Sequence, residues 1–369
     1  MNLTKYKLGD LIVQRREKNN NYDVPIRGVS KEGFIPAKQK DADTSIYNVF
    51  YKYDFVFNPA RMELNSIALN LEYDKALCSS LYEVFYVKDK SIVLPEFLNL
   101  HIKRDEFARH CDYIGLGSAR EYCRFANIAE FDIELPPIEV QEEIVEADRL
   151  IKKRIRLNNQ MIQHLEATAQ ALYRKTFVDN IDKENLPKGW RMGTLGEVAY
   201  YVDEKMSLAN IDETAYIATE NMLKDKKGII ISTNKPEEGR GTKFAIDDVL
   251  VSNIRPYFKK IWRASFNGVS SNDVLCFRAK NEFNASMLYY TIEQDVFFDY
   301  VMAGSNGVKM PRGDKKWIMN YPVIIPSKNG VKEYEKATTC IHLQSVCRKQ
   351  ENSKLTELQS LLLAKMGHK

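Results

Sequence analysis

Two short runs in this chain carry residue types that can read a base edge and grip a phosphate. Asn58-Pro59-Ala60-Arg61 and Asn253-Ile254-Arg255-Pro256 each end an apolar, β-rich run with an arginine beside an asparagine, and the second continues Tyr257-Phe258-Lys259-Lys260. An arginine fork matches guanine O6 and N7, an asparagine amide matches adenine, and a turn-held backbone can approach phosphate. The plain alternative is an arginine that ties the loop to its own sheet. A second pair of runs is glycine-rich and cationic. Gly115-Leu116-Gly117-Ser118-Ala119-Arg120 is one, and Gly304-Ser305-Asn306-Gly307-Val308-Lys309-Met310-Pro311-Arg312, followed by Lys315-Lys316, is the other. Glycine permits close backbone approach, and hydroxyl or cationic neighbours suit phosphate oxygens. Here the alternative is a tight turn ringed by solvated cations. The candidate contacts are thus Asn58, Arg61, Ser118 and Arg120 in the first half, and Asn253, Arg255, Lys259, Lys260, Lys309, Arg312 and Lys315 in the second.

Catalytic chemistry is not written in the chain. Asn58-Pro59-Ala60 shares its first two residues with the Asn-Pro-Pro-aromatic motif of amino-methyltransferases, but the second proline and the stacking aromatic are missing. No glycine-rich cofactor loop follows a strand near the N-terminus, and no Gly-x-x-x-x-Gly-Lys-Ser/Thr phosphate loop occurs. The five histidines pair with no obvious nucleophile, and His164 and His342 are expected on solvated helix faces. Six cysteines lie scattered without a Cys-x-x-Cys pair or histidine at ligand spacing, so buried free thiols are expected and no metal site. Any chemistry belongs to partners.

The elements that must position these runs occur twice. A segment opening Lys7-Leu8-Gly9-Asp10-Leu11 and closing Glu134-Leu135-Pro136-Pro137 is followed by a second, opening Thr194-Leu195-Gly196-Glu197-Val198 and closing Val323-Ile324-Ile325-Pro326. Between these ends Asp54–Arg61 parallels Asp248–Arg255, and Ser79-Ser80 parallels Ser270-Ser271. Such self-similarity organises the whole reading. Strands are predicted over Phe50–Phe57, Ser80–Val87, Gly228–Ser232, Asp248–Ser252 and Ser271–Arg278, and helices over Pro95–Ile102 and Asn284–Ile292. Each globule is therefore an α+β domain with a mixed sheet.

A long helix is predicted after each globule. From Ile138 to about Val178 a three-four rhythm places Ile144, Ile151, Ile155, Asn158, Ile162, Leu165 and Leu172 on one seam. From about Val331 to Lys365 a weaker seam runs through Ile341, Leu355 and Leu362, with Leu358, Leu361 and Leu363 thickening its end. Two lone amphipathic helices need partners, and each is the obvious partner of the other. Asn158 either fixes the register of that seam or sits solvated where it frays. At 369 residues, with 44% hydrophobic and 28% charged residues and a net charge of +4, the composition is that of a globular protein, and because Met1-Asn2-Leu3-Thr4-Lys5-Tyr6-Lys7 has no apolar signal core a cytoplasmic home is expected. The modest net charge leaves a scaffold that binds only proteins as the rival to a nucleic-acid reader.

The ordered set of motifs resembles the specificity subunit of type I restriction-modification systems. Leu135-Pro136-Pro137-Ile138-Glu139-Val140-Gln141-Glu142-Glu143-Ile144 leads through Leu157-Asn158-Asn159 and Leu165-Glu166 to Gln170–Val178, and Leu186-Pro187-Lys188-Gly189-Trp190 with Leu195-Gly196-Glu197 opens the second globule. The resemblance covers the whole chain, and Leu361–Met366 is similar to the family's terminus, so the chain is expected to be complete. It implies two mixed-sheet target recognition domains, at 1–137 and 181–328, separated by two long antiparallel coiled-coil helices, at 138–180 and 329–369. It implies double-stranded DNA as ligand, with two methyltransferase subunits and the restriction or translocase subunits as partners. S-adenosylmethionine and ATP with Mg would sit on those partners, with no cofactor in this chain. Divergence between the two globules points to an asymmetric bipartite target. The second helix departs from the family's distal spacer where Thr338-Thr339-Cys340 and Arg348-Lys349-Gln350 interrupt its seam.

Overall fold

The computed structural model describes residues 3–30, 33–37, 43–115, 122–179, 181–209, 211–280, 283–307 and 309–366. It resolves into two units, Met1–Leu157 with Asn352–Lys369, and Asn158–Glu351. The boundary falls inside both long helices, so each unit contains one globule and a part of each helix.

In the first unit the strand Thr4–Lys7 pairs antiparallel with Asp132–Leu135, which returns the chain to its start just before Pro136. The one-turn helix Leu8–Leu11 then leads into a four-stranded antiparallel sheet in the order Ile12–Arg15, Glu83–Val87, Phe55–Phe57, Ile67–Leu69. Phe55, Phe57 and Phe85 face the helices Pro95–Ile102 and Asp105–Gly115 together with Leu8, Phe97 and Phe107. On the other face Val56 and Val84 pack with Phe50, Ala68 and Ala76. A sheet buried on both faces explains why these strands read as continuous apolar runs.

The second unit repeats the plan. Arg191–Thr194 pairs with Pro322–Ile325, a one-turn helix Leu195–Val198 follows, and a sheet runs Ala199–Tyr201, Val274–Ala279, Val249–Ser252, Ile261–Arg263. A further sheet, Lys205–Ser207, Arg240–Phe244, Gly268–Ser270 and Tyr216–Ile217, ends in one parallel pairing and makes the architecture mixed. Strand register fixes the equivalence of the two copies: Phe55 pairs with Phe85 where Val249 pairs with Phe277.

The long helices are Ile138–Phe177, with 40 residues, and Lys328–Lys365, with 38. Each spans ~60 Å at 1.5 Å per residue. Gln141 anchors the entrance of the first: its amide donates to the carbonyls of Ile92 and Pro136 at 2.9 Å and accepts from the backbone of Leu94 at 3.0 Å. Within the first unit Gln359 donates to Asp148 at 2.7 Å, and Leu363 and Met366 pack with Ile144 on the core. Within the second, Asn158 donates to Glu351 at 3.0 Å, Lys349 meets Glu166 at 2.8 Å, and Tyr173 and Phe177 meet Tyr334. Rising numbers on one helix meet falling numbers on the other, which is antiparallel pairing. Ile151, Asn158 and Ile162 are buried on this seam, and Ile144, Ile155, Leu165, Leu172, Ile341, Leu355 and Leu362 are half-buried. Asn158 is therefore a buried, hydrogen-bonded seam residue and not a solvated one. No helix among the described residues is long and apolar enough to cross a membrane.

Several expectations are corrected. The run Phe50–Phe57 is two strands, Asn48–Tyr51 and Phe55–Phe57, because the chain turns through a left-handed Tyr53 (φ 71°). Gly228–Ser232 forms no strand: it finds a partner only at the bridge of Ile229 with Met222, and Ile230 and Ile231 stay half exposed. Leu358 and Leu361 are exposed and do not thicken the seam. Cys340 and Cys347 are exposed on the distal helix, whereas Cys78, Cys111, Cys123 and Cys276 are buried. His342 is drawn to Asp247 at 3.5 Å and does not sit on a free face.

Candidate nucleic-acid interface

In the first unit the strand Phe55–Phe57 ends at Asn58, whose side-chain oxygen accepts from the Ala60 backbone at 3.1 Å. Asn58 thus caps the short 3-10 helix Pro59–Leu64, with Pro59 suited to its first turn. Arg61 interrupts that helix (φ −140°) and is exposed, with no carboxylate partner among the described residues. It lines a cleft of about 590 Å³ with Arg27, Arg124, Ser79, Leu81 and Tyr122. Arg27 is held in place, its Nε donating to the Tyr73 hydroxyl at 2.8 Å with the guanidinium 4.8 Å over that ring. Arg124, itself exposed, lies 3.4 Å from the largely buried Glu83, a long pairing. After the glycine-rich run the chain returns beside the strand end, where the Cys123 N–H donates to the Pro59 carbonyl at 3.1 Å. Ser118 and Arg120 lie outside the described residues.

The second unit brings its two candidate runs together more tightly. Ser305–Asn306 pairs with Arg312–Gly313 as a hairpin, and Ile254 bridges to Arg312. The Arg255 N–H donates to the Pro311 carbonyl at 2.8 Å. Arg255 itself is left-handed (φ 52°, ψ 64°), and its Nε and the Asn253 Oδ1 are buried without a hydrogen-bond partner among the described residues. A non-glycine residue held there is strained by ~1–2 kcal/mol, and such outliers cluster at functional sites. Arg312 pairs with Asp273 at 3.1 Å on the surface. Lys309 is exposed, and Lys315 opens the helix Lys315–Met319 with its ammonium 5.8 Å from the Tyr201 ring.

Two candidate cations are occupied by their own fold. Lys259 meets Asp295 at 2.8 Å, and this contact, with that of Lys226, pulls the Asp295 carboxyl down to about 2. Lys260 donates to the Thr219 carbonyl at 2.6 Å, and burial holds its pKa below the ordinary lysine value. Gly304 is required for a reason other than ligand approach, since a Cβ there would collide with the Trp317 indole. Gly307 (φ 94°) makes the turn of the hairpin.

At the opposite end of each of these strands, just before it begins, a buried aspartate is met by an arginine from a different strand. Asp54 accepts from Arg15 Nε at 2.6 Å, whereas Asp248 accepts from Arg278 Nε and Nη2 at 2.7 Å. Burial outweighs the Arg15 guanidinium and holds the Asp54 carboxyl above its ordinary value. Sequence reasoning missed Arg27, Arg124, Leu81 and Tyr122. Only Arg124 carried a signal, as the cation that follows the glycine-rich run.

The comparisons agree with this architecture. Residues 3–167 match the family of the type I restriction modification DNA specificity domain. A type I restriction enzyme HindI specificity subunit from Haemophilus influenzae is 32% identical over 91 residues, which is 24% of this chain and 20% of that relative. Among solved structures, the S subunit of a type I restriction-modification system from M. genitalium superposes with a TM-score of 0.58 at 15% identity, covering 100% of this chain and 96% of that one. A chain from a structure of a type I restriction-modification system, described for its complex assembly and conformational transition, gives 0.50 at 16% identity over 99% and 97%. Residues 3–167 thus match the type I restriction modification DNA specificity domain, and the chain over its whole length is similar in fold to the S subunit from M. genitalium.

Proposed function

We propose that this chain is the sequence-specific DNA-binding subunit of a type I restriction-modification complex, itself without catalytic activity. Each unit reads one half of a bipartite, asymmetric site. The paired helices set the spacing and dock two methyltransferase subunits, with restriction or translocase subunits joining the assembly. S-adenosylmethionine and ATP with Mg belong to those partners, and DNA places the complex in the cytoplasm. The observation that carries the reading is the pair Arg61 and Arg255. They occupy equivalent strand ends, and each lacks a carboxylate partner among the described residues, whereas Arg15, Arg263, Arg278 and Arg312 are each paired with an aspartate. Arg124 and Arg312 stand at the returning segment beside them, and Lys309 and Lys315 add charge around the second site. Lys259 and Lys260 are assigned to holding the second site's backbone.

A purified complex of this chain with its methyltransferase subunit tests the reading. Binding to a duplex carrying the site methylated in the host should exceed binding to a scrambled duplex by at least ~10³-fold, and should fall steeply with salt as phosphate counterions are released. Equal binding to both duplexes across a salt titration overturns it. A protein-binding scaffold would show no sequence-dependent protection, and an enzyme would modify DNA without partners.

A further inference from the structure

One side chain at the rim of the first unit's cleft has no place in a phosphate-gripping surface. Leu81 is 78% exposed, and it lines the same cleft as Arg27, Arg61 and Arg124. It sits on a braced turn and not on a loose loop. The Ser79 hydroxyl accepts from the Leu81 N–H at 3.3 Å, the Tyr82 N–H donates to the Ser79 carbonyl at 3.0 Å, and buried Asn48 donates to the Tyr82 carbonyl at 2.7 Å. Strand register identifies its counterpart. Four positions before Phe85 stands Leu81, and four before the equivalent Phe277 stands Asp273, which holds Arg312 at 3.1 Å. At the place where the second unit uses an acid to fix a cation, the first presents a bare apolar group to solvent.

We infer that Leu81 is a specificity-determining residue that packs on the 5-methyl group of a thymine, so that the half-site read by the first unit contains a thymine next to the position read by Arg61. This rests on the DNA-reading function proposed above. Arginine forks address the major groove, and the one apolar group that an unmodified base presents there is the thymine methyl. A rigid turn suits the contact because its backbone is already ordered before binding. Burying one methyl group is worth ~0.8 kcal/mol, or about fourfold in affinity.

The test replaces each thymine of the methylation-mapped site, one at a time, by deoxyuridine, which lacks only the methyl. Binding is measured for the complex containing the wild-type chain, Leu81→Ala and Leu81→Met. The exposed side chain leaves folding unaffected, which thermal melting checks. At one thymine the wild type and Leu81→Met should lose about fourfold, and Leu81→Ala should be indifferent. If no thymine shows that pattern while the complex still prefers its site, or if the mapped site contains no thymine, the inference is overturned and the function stands. If the wild type shows no preference for the site at all, the function itself has failed.

Discussion

Arg61 and Arg255 are equivalent in register and opposite in surroundings. Arg61 is exposed and unstrained by any left-handed angle, so Arg61→Ala should leave the melting temperature unchanged and weaken binding to the cognate duplex by about 5- to 150-fold, the ~1–3 kcal/mol of a bidentate base contact. Arg255 is left-handed, and glycine would adopt its angles freely. Arg255→Gly should therefore raise stability to unfolding in urea by ~1 kcal/mol while lowering DNA affinity. A loss of stability would show that the guanidinium ties the loop to its own sheet. Both arginines were legible from sequence because a cation beside Asn and Pro at the end of an apolar run recurs at one place in each copy. The engagement of Lys259 was not legible, since its partner Asp295 lies on a helix 36 residues later.

At the scale of elements, the helices were read from their period, and the sheet strands from apolar runs that a doubly covered sheet produces. What failed was local: Tyr53 turns left-handed inside one run, and Gly228–Ser232 has the composition of a strand without an edge to join. The end of the helix Ala285–Glu293 hides a titrating group. Glu293 is largely buried, its Oε2 finds no partner among the described residues, and burial lifts its pKa to about 7. Lys226 opposes that lift, Glu166 and Asp295 reinforce it, and Tyr289 donates a hydrogen bond at 3.4 Å; Arg263, His342 and Lys349 line the same cleft. Between pH 4.5 and about 7 the folded protein holds this proton more tightly than the unfolded chain, so the group's contribution to stability falls as pH rises through that window. Glu293→Gln should remove that fall, making the variant more stable than wild type at pH 8 by on the order of 3 kcal/mol. Urea unfolding at pH 5 and pH 8 measures it, and an unchanged pH dependence would mean that the carboxyl is solvated. The aromatic group at the helix ends is a separate test: Tyr173→Ala removes a ring packed on Phe177 and Tyr334 and should cost ~3–5 kcal/mol.

For the whole molecule, the duplication was the most legible feature, and the central four-stranded sheet has the same strand order in both copies. The sequence could not show that each unit takes a part of each long helix, because that depends on which seam residues meet across a separation of some two hundred positions, as Asp148 and Gln359 do. The spacing role makes a geometric prediction. Excising seven residues from each helix, in register, should shorten the gap between the two half-sites and leave both half-site sequences unchanged, as read by methylation mapping. An unchanged gap would remove the helices from any measuring role. The most direct test of the central claim is the methylation pattern of a host genome carrying the wild-type gene, Arg61→Ala or Arg255→Ala. Two separated specific half-sites are predicted for the wild type, with Arg61→Ala relaxing or weakening one half and Arg255→Ala the other. A single contiguous motif, or a pattern that survives deletion of the gene, would contradict the account.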